Sequence, residues 1–267
     1  MNSGLRNVNC VAMIGAGPVG LGWTARFLAR GLRVKLWAPE STSSESIADS
    51  LDRMFASVLK LGSFPKADRN QVELTREHAK ACSGADWIQF ADAPLDSLDT
   101  LTLNLERTVQ SDVVIAINAR VSSTEDSTSR FRFPQRMAVA QPWSAVHLTP
   151  LVELGGLSRA LAGDASKIAR TYYESVGMFV VTARDSAECV LSDRLHRALV
   201  EEAQHLVDEG LADAQTVSDV LTHGPGLTLP IVGLQHSATS DPPPSLRRLR
   251  PAHTRSGRVT ALSAACS

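Results

Sequence analysis

Residues 11–14 read V-A-M-I, an unbroken apolar run that stops at Gly15. A short apolar run bounded by glycine is the pattern of a strand buried on both faces of a parallel sheet. Residues 21–30 then place Leu21, Ala25, Leu28 and Ala29 at helical spacing, and Gly31 stands where a helix C-cap belongs. L-R-V-K-L-W over 32–37 predicts a second strand, and the serine- and threonine-rich residues 38–45 a loop. A helix is expected over 47–61, with Leu51, Met54, Phe55, Val58 and Leu61 on one face. Further strands are expected at 87–90, 113–117, 137–140, 151–154 and 180–181, with helices over 95–109 and 165–176. Strands alternating with helices predict an α/β protein with a doubly wound sheet.

The pattern changes near Asp185. From 185 to 209 it is continuously helical, with Val190, Leu191, Leu195, Leu199, Ala203 and Leu206 recurring at three- and four-residue steps. Gly210 closes that helix, and residues 214–222 begin another before G-P-G at 224–226. The expected organisation is therefore a sheet domain over 1–184 and a smaller all-helical domain over 185–234. A proline-, serine- and arginine-rich tail over 235–267 has the composition of a disordered segment.

Composition narrows the partners. A net charge of −1 gives no electrostatic case for nucleic acid or an anionic membrane, and 5% aromatic residues supply few base-stacking surfaces. No apolar run reaches the length of a bilayer span, and the residues before the first strand leave no room for a signal peptide. Cys10, Cys82, Cys189 and Cys266 lack metal-ligand spacing and read as unpaired thiols. The expectation is a cytoplasmic protein without a metal, acting on a small molecule.

The chemistry begins where the first strand ends. Gly15, Ala16, Gly17, Pro18, Val19 and Gly20 form G-x-G-x-x-G between a predicted strand and a predicted helix. In that context the first glycine permits the tight turn, the second lets backbone approach a pyrophosphate, and the third lets helix and strand pack closely. This is the fingerprint of a Rossmann-type dinucleotide site. An acidic residue normally ends the second strand and holds the adenosine ribose hydroxyls. Here that place is Ala38, which leaves NAD and NADP both open; Glu40, two residues on, can swing back as a substitute.

Three blocks extend the pattern: V-A-M-I-G-A-G-P-V-G-L-G-W-T-A-R-F-L-A-R-G from Val11, H-L-T-P-L-V-E-L-G-G from His147, and L-V-D-E-G-L-A-D-A-Q-T-V-S-D-V-L-T-H-G-P-G-L from Leu206. In this order they resemble the 3-hydroxyacyl-CoA dehydrogenase superfamily. The likeness is strongest to its shorter branch, which holds carnitine 3-dehydrogenase, L-gulonate 3-dehydrogenase, lambda-crystallin and related aromatic-polyketide ketoreductases. The resemblance implies hydride transfer between a substrate carbon and a nicotinamide, with a histidine taking the hydroxyl proton and a glutamate twelve residues later orienting it. It also implies a homodimer paired through the helical domains.

Matched residue by residue, the resemblance puts the orienting glutamate at Glu153 and the histidine position at Gln141, which cannot exchange a proton near neutral pH. The family's serine corresponds to Arg120, or, with a shift of the alignment, to Ser122 or Ser123. Its asparagine corresponds to Asp193. Phe90 and Ala91 stand where the family has polar groups near the nicotinamide ribose. The expected function is an NAD- or NADP-dependent oxidoreductase of a 3-hydroxy or 3-keto acyl-type substrate, altered at its catalytic positions. Reduction of a ketone tolerates those changes best, with Gln141 or Arg120 polarising the carbonyl and water or His147 supplying the proton. The alternatives are an inactive nucleotide-binding or scaffold protein of the same fold, and a non-redox cyclase or dehydratase using Glu153 or Asp193.

Overall fold

β1 (Cys10–Ile14) runs into α1 (Pro18–Ala29) and β2 (Arg33–Trp37), the strand–turn–helix–strand unit expected from the glycine fingerprint. α2 (Ser44–Leu59) and β3 (Val72–Thr75) follow, then the short α3 (His78–Cys82) and β4 (Trp87–Phe90). β5 (Val114–Ile117), β6 (Met137–Pro142), β7 (Leu151–Gly155), α4 (Asp164–Ser175) and β8 (Phe179–Thr182) complete the sheet region. This computed structural model describes residues 8–91, 112–118, 136–155, 164–182 and 191–237. The helix expected over 95–109, Arg120 and the tail beyond 237 lie outside the described residues.

The strands form one eight-stranded sheet in the order β3-β2-β1-β4-β5-β6-β7-β8. Every neighbouring pair is parallel except β6 with β7. The chain winds outward from β1 through β2 to β3 and then crosses to β4 on the other side of β1. That reversal creates a crevice at the carboxyl ends of β1 and β4, where open α/β sheets bind ligands.

Alternation along the strands splits the core into two layers. Val11 and Met13 join Leu28, Leu36, Leu51, Trp87 and Tyr172 on one face, while Ala12 and Ile14 join Trp37, Ile88, Phe90, Ile115 and Ile117 on the other. On the first face, Trp23 and Phe27 of α1 stack at 5.3 Å, Trp23 meets Tyr173 of α4 at 5.2 Å, and Trp87 stacks on Tyr172 at 4.1 Å. This aromatic cluster fixes α1 and α4 side by side over β4, so the glycine turn at the head of α1 is anchored from behind.

The first two helices carry the local signals that stop and start them. Gly31 sits at φ +79° just past α1, a left-handed conformation that stops the helix. Ser43 caps α2, its hydroxyl accepting from the Ser46 amide, so the helix begins three residues before the expected boundary. The hydrophobic pattern does not predict β3 or α3. β3 is a four-residue edge strand with only Thr75 buried, and α3 has five residues, too few for either period to show.

The chain divides into two compact units, Met1–Leu195 and His196–Ser267. The helix α5 (Leu191–Asp208) is followed by α6 (Ala214–His223), capped by the Asp213 carboxylate on the Thr216 amide at 2.7 Å. The G-P-G at 224–226 does not end the helical region; it opens α7 (Pro225–Ser237), because proline fits the first turn of a helix. Leu199, Val200, Leu211, Val220, Leu227 and Ile231 are exposed on this second unit. No helix among the described residues is long and apolar enough to cross a membrane.

Candidate active site

The glycine turn closes directly on β1. Gly15 has φ +115°, and its amide donates to the Trp37 carbonyl at the end of β2 (3.1 Å). Gly20 packs so tightly that a methyl group there would collide with the Gly15 carbonyl. Between them Gly17 occupies the N-cap of α1 with no side-chain cap, and Pro18 holds the first helical position. The first turn of α1 carries no acidic residue, so the partial positive charge of the helix N-terminus faces the crevice unopposed. Ala16 and Val19 are half-buried against the core and hold the turn in place. This is the cradle a pyrophosphate requires, and the residues present fit a dinucleotide there.

At the ribose end, Ala38 is fully buried and its amide donates to the Thr75 carbonyl of β3 (3.2 Å), so its place offers no hydrogen-bonding side chain. Glu40 is exposed in the loop that follows. Toward the nicotinamide end, Phe90 and Ala91 are buried and apolar at the carboxyl end of β4, and the Ala91 amide donates to the Ile14 carbonyl (2.9 Å). Asn118, at the end of β5, is 8% exposed, and its Oδ1 has no hydrogen-bond partner among the described residues. A buried orphan acceptor at this edge is costly unless a ligand N–H or hydroxyl reaches it. Sequence pattern alone gives Asn118 no role; its one signal is a polar residue following directly on a buried apolar strand.

β6 and β7 bring two of the expected catalytic positions together. Gln141 and Glu153 are direct partners across this antiparallel pair, so both side chains project from the same face of the sheet. Two strands separate β6 from β1, which puts this rung about 14 Å along the carboxyl edge from the glycine turn. Gln141 is half-buried and its carboxamide nitrogen donates to the Pro142 carbonyl (3.2 Å). Glu153 is fully buried. Its Oε1 accepts from the Leu191 amide (2.9 Å), and its Oε2 from the Ser192 amide (3.2 Å) and Ser192 hydroxyl (3.1 Å). The carboxylate therefore caps the start of α5, where three donors and the helix dipole meet a negative charge. Ser192 is a partner that sequence reasoning does not find. Asp193 follows it in the first turn of α5, half-buried.

His147 lies in the turn before β7. A methyl group at Gly22 of α1 would collide with Val146 and approach the His147 Nδ1 to 3.6 Å, so the ring lies against that helix. Nδ1 is buried without a partner among the described residues, and burial together with the nearby Arg26 guanidinium holds the imidazole below its ordinary pKa. Arg26 is itself buried and donates from Nε to the Val146 carbonyl, which ties this turn to α1.

A strand–glycine turn–helix cradle at the switch point of a mostly parallel sheet defines a dinucleotide-binding protein of the Rossmann type. The family model described as 3-hydroxyacyl-CoA dehydrogenase, NAD binding domain, matches residues 10–186, and the chain belongs to this family. It is 31% identical over 228 residues to an L-carnitine dehydrogenase of Streptomyces coelicolor, covering 85% of this chain and 71% of that one. It is 32% identical over 218 residues to an L-carnitine dehydrogenase of Oceanobacillus iheyensis, covering 81% and 71%. Among solved structures, a 5-formyl-3-hydroxy-2-methylpyridine 4-carboxylic acid 5-dehydrogenase superposes with a TM-score of 0.73 at 22% identity, covering 86% of this chain and 75% of that one. The (S)-3-hydroxybutyryl-CoA dehydrogenase of Ralstonia eutropha gives 0.64 at 18% identity, covering 82% and 78%. These likenesses support the fold.

Proposed function

We propose that the protein is a nicotinamide-dependent reductase of a small 3-keto compound, with the alcohol as product. The observation that carries this reading is the Gln141–Glu153 rung: the position paired with the buried carboxylate holds a hydrogen-bond donor that does not titrate near neutral pH. The bound nicotinamide would supply the hydride. The chain's own residues bind, orient and polarise. The Gln141 carboxamide donates a hydrogen bond to the substrate's 3-oxygen, Glu153 holds the first turn of α5 in place, and Asp193 borders the pocket. Arg120 is the second candidate donor to the same oxygen. With hydride delivered to the carbonyl carbon, the oxygen held by these donors would take its proton from water. The relatives named L-carnitine dehydrogenase support a small substrate of this class. The absence of a carboxylate at Ala38 keeps both NAD and NADP as candidates.

Titrating the purified protein with NADH and NADPH by fluorescence, then adding acetoacetyl-type ketones, tests this reading. Saturable dinucleotide binding and steady ketone reduction are the expected results. Lack of affinity for either dinucleotide sinks the reading. Binding without turnover favours the second reading, a nucleotide-binding scaffold, for which the apolar Phe90 and Ala91 at the nicotinamide end are the specific support.

The exposed apolar side chains of the helical unit, among them Leu199, Leu211, Leu227 and Ile231, support a homodimer formed through that unit. Sedimentation velocity at micromolar concentration is expected to give a dimer, and a monomer there overturns the assignment.

A further inference from the structure

The ribose end of the cradle holds a cation that the glycine fingerprint does not require. Arg76 follows β3 by one residue, and its guanidinium reaches across to the loop that joins β2 to α2. Nη1 donates to the Pro39 carbonyl, and Nη2 donates to the Thr42 carbonyl (2.8 Å) and the Ser44 hydroxyl (2.9 Å). The Trp37 indole N–H donates to the Arg76 carbonyl (3.0 Å), and the same indole stacks on His78 at 3.9 Å, so the residue is fixed from its backbone side. Pro39 is the neighbour of Ala38, the position whose carboxylate would otherwise hold the ribose hydroxyls and repel a 2′-phosphate.

Among the described residues no carboxylate bonds to this guanidinium. Glu40 and Glu45, on the same loop and helix start, are exposed and form no ion pair there, while Glu77 pairs with Lys80 (2.5 Å). A guanidinium has five N–H donors, and the three bonds to the loop leave one N–H on Nε and one on Nη1, on opposite sides of the group, so either can serve an anion singly. Ser41 and Thr42 add hydroxyls at the same edge. A positive, half-buried guanidinium with a spare donor beside a missing carboxylate matches one oxygen of a phosphate monoester bound to the ribose.

Building on the dinucleotide-binding reading above, we propose that Arg76 makes the adenosine end a receptor for the 2′-phosphate, so that the chain binds NADP(H) in preference to NAD(H). In loop-stitching alone Arg76 would support both dinucleotides equally; as a phosphate ligand it separates them.

Calorimetric titration of the full chain reads this through binding alone. Wild-type protein is expected to bind NADPH at least about tenfold more tightly than NADH, and adenosine 2′,5′-bisphosphate at least about tenfold more tightly than 5′-AMP, as a charge-assisted contact made by one phosphate predicts. Arg76→Met is expected to cut NADPH affinity about tenfold while changing NADH affinity less than about threefold, and Ala38→Asp to reverse the preference. Equal or tighter binding of NADH by the wild type overturns the inference and leaves the dinucleotide reading standing. Equal weakening of both ligands in Arg76→Met also overturns it. Binding of neither dinucleotide overturns both readings. If Arg76→Met fails to fold, the two wild-type comparisons decide the matter.

Discussion

Gln141→His is expected to raise the rate of 3-hydroxy substrate oxidation about 10²–10⁴-fold at neutral pH, the usual contribution of a positioned general base. The expectation rests on the register of the β6–β7 pair. Directly opposed residues on antiparallel strands have Cβ atoms about 4.5–5.5 Å apart, so an imidazole at 141 projects beside the Glu153 carboxylate without any rearrangement of backbone. The carboxylate is already held by Leu191 and Ser192, so it is ordered before the imidazole arrives. Steady-state oxidation assays with either dinucleotide check the effect. No gain, with dinucleotide affinity intact, would count against a latent general-base site at 141.

Removing Glu153 should act mainly on stability. Glu153→Ala deletes the acceptor for two backbone amides and the Ser192 hydroxyl, and opens a cavity in a fully buried position. A donor left unpaired costs up to about 1–3 kcal/mol where water cannot reach it, less at these part-buried amides, and loss of a helix cap about 0.5–2 kcal/mol. These terms overlap, so the expected loss is about 2–4 kcal/mol, a large share of a typical domain stability of about 5–15 kcal/mol. Glu153→Gln keeps an acceptor and most of the volume and should lose about 1 kcal/mol. Urea denaturation followed by circular dichroism measures both. A change below about 1 kcal/mol in Glu153→Ala would show that the cap contributes little and would return Glu153 to a purely chemical role.

The buried strands can be read in the sequence because a parallel sheet covered on both faces needs apolar side chains in succession, as in V-A-M-I and V-V-I-A-I. β3 cannot, since its V-E-L-T is an edge strand with one face in water. The rung joining Gln141 to Glu153 is also accessible, through the family resemblance: the twelve-residue separation is the length of the β6–turn–β7 hairpin, and the fold explains why that number recurs. Pairings between remote segments leave no local trace. Ser192 reaches Glu153 from 39 positions away, and Arg76 reaches Pro39 from 37. Neither pairing has a periodicity or a motif, because a side-chain hydrogen bond between elements depends on how the elements are stacked. Asn118 is intermediate: its place at a strand end is visible, but the unpaired buried oxygen is not.

The reversal of direction between β6 and β7 places residues 141 and 153 on a continuous ladder rather than on two independent loops. Main-chain bonding fixes their spacing whatever side chains they carry. Exchange of the group at 141 is therefore expected to leave the shape of the platform as it is, whatever it does to reactivity.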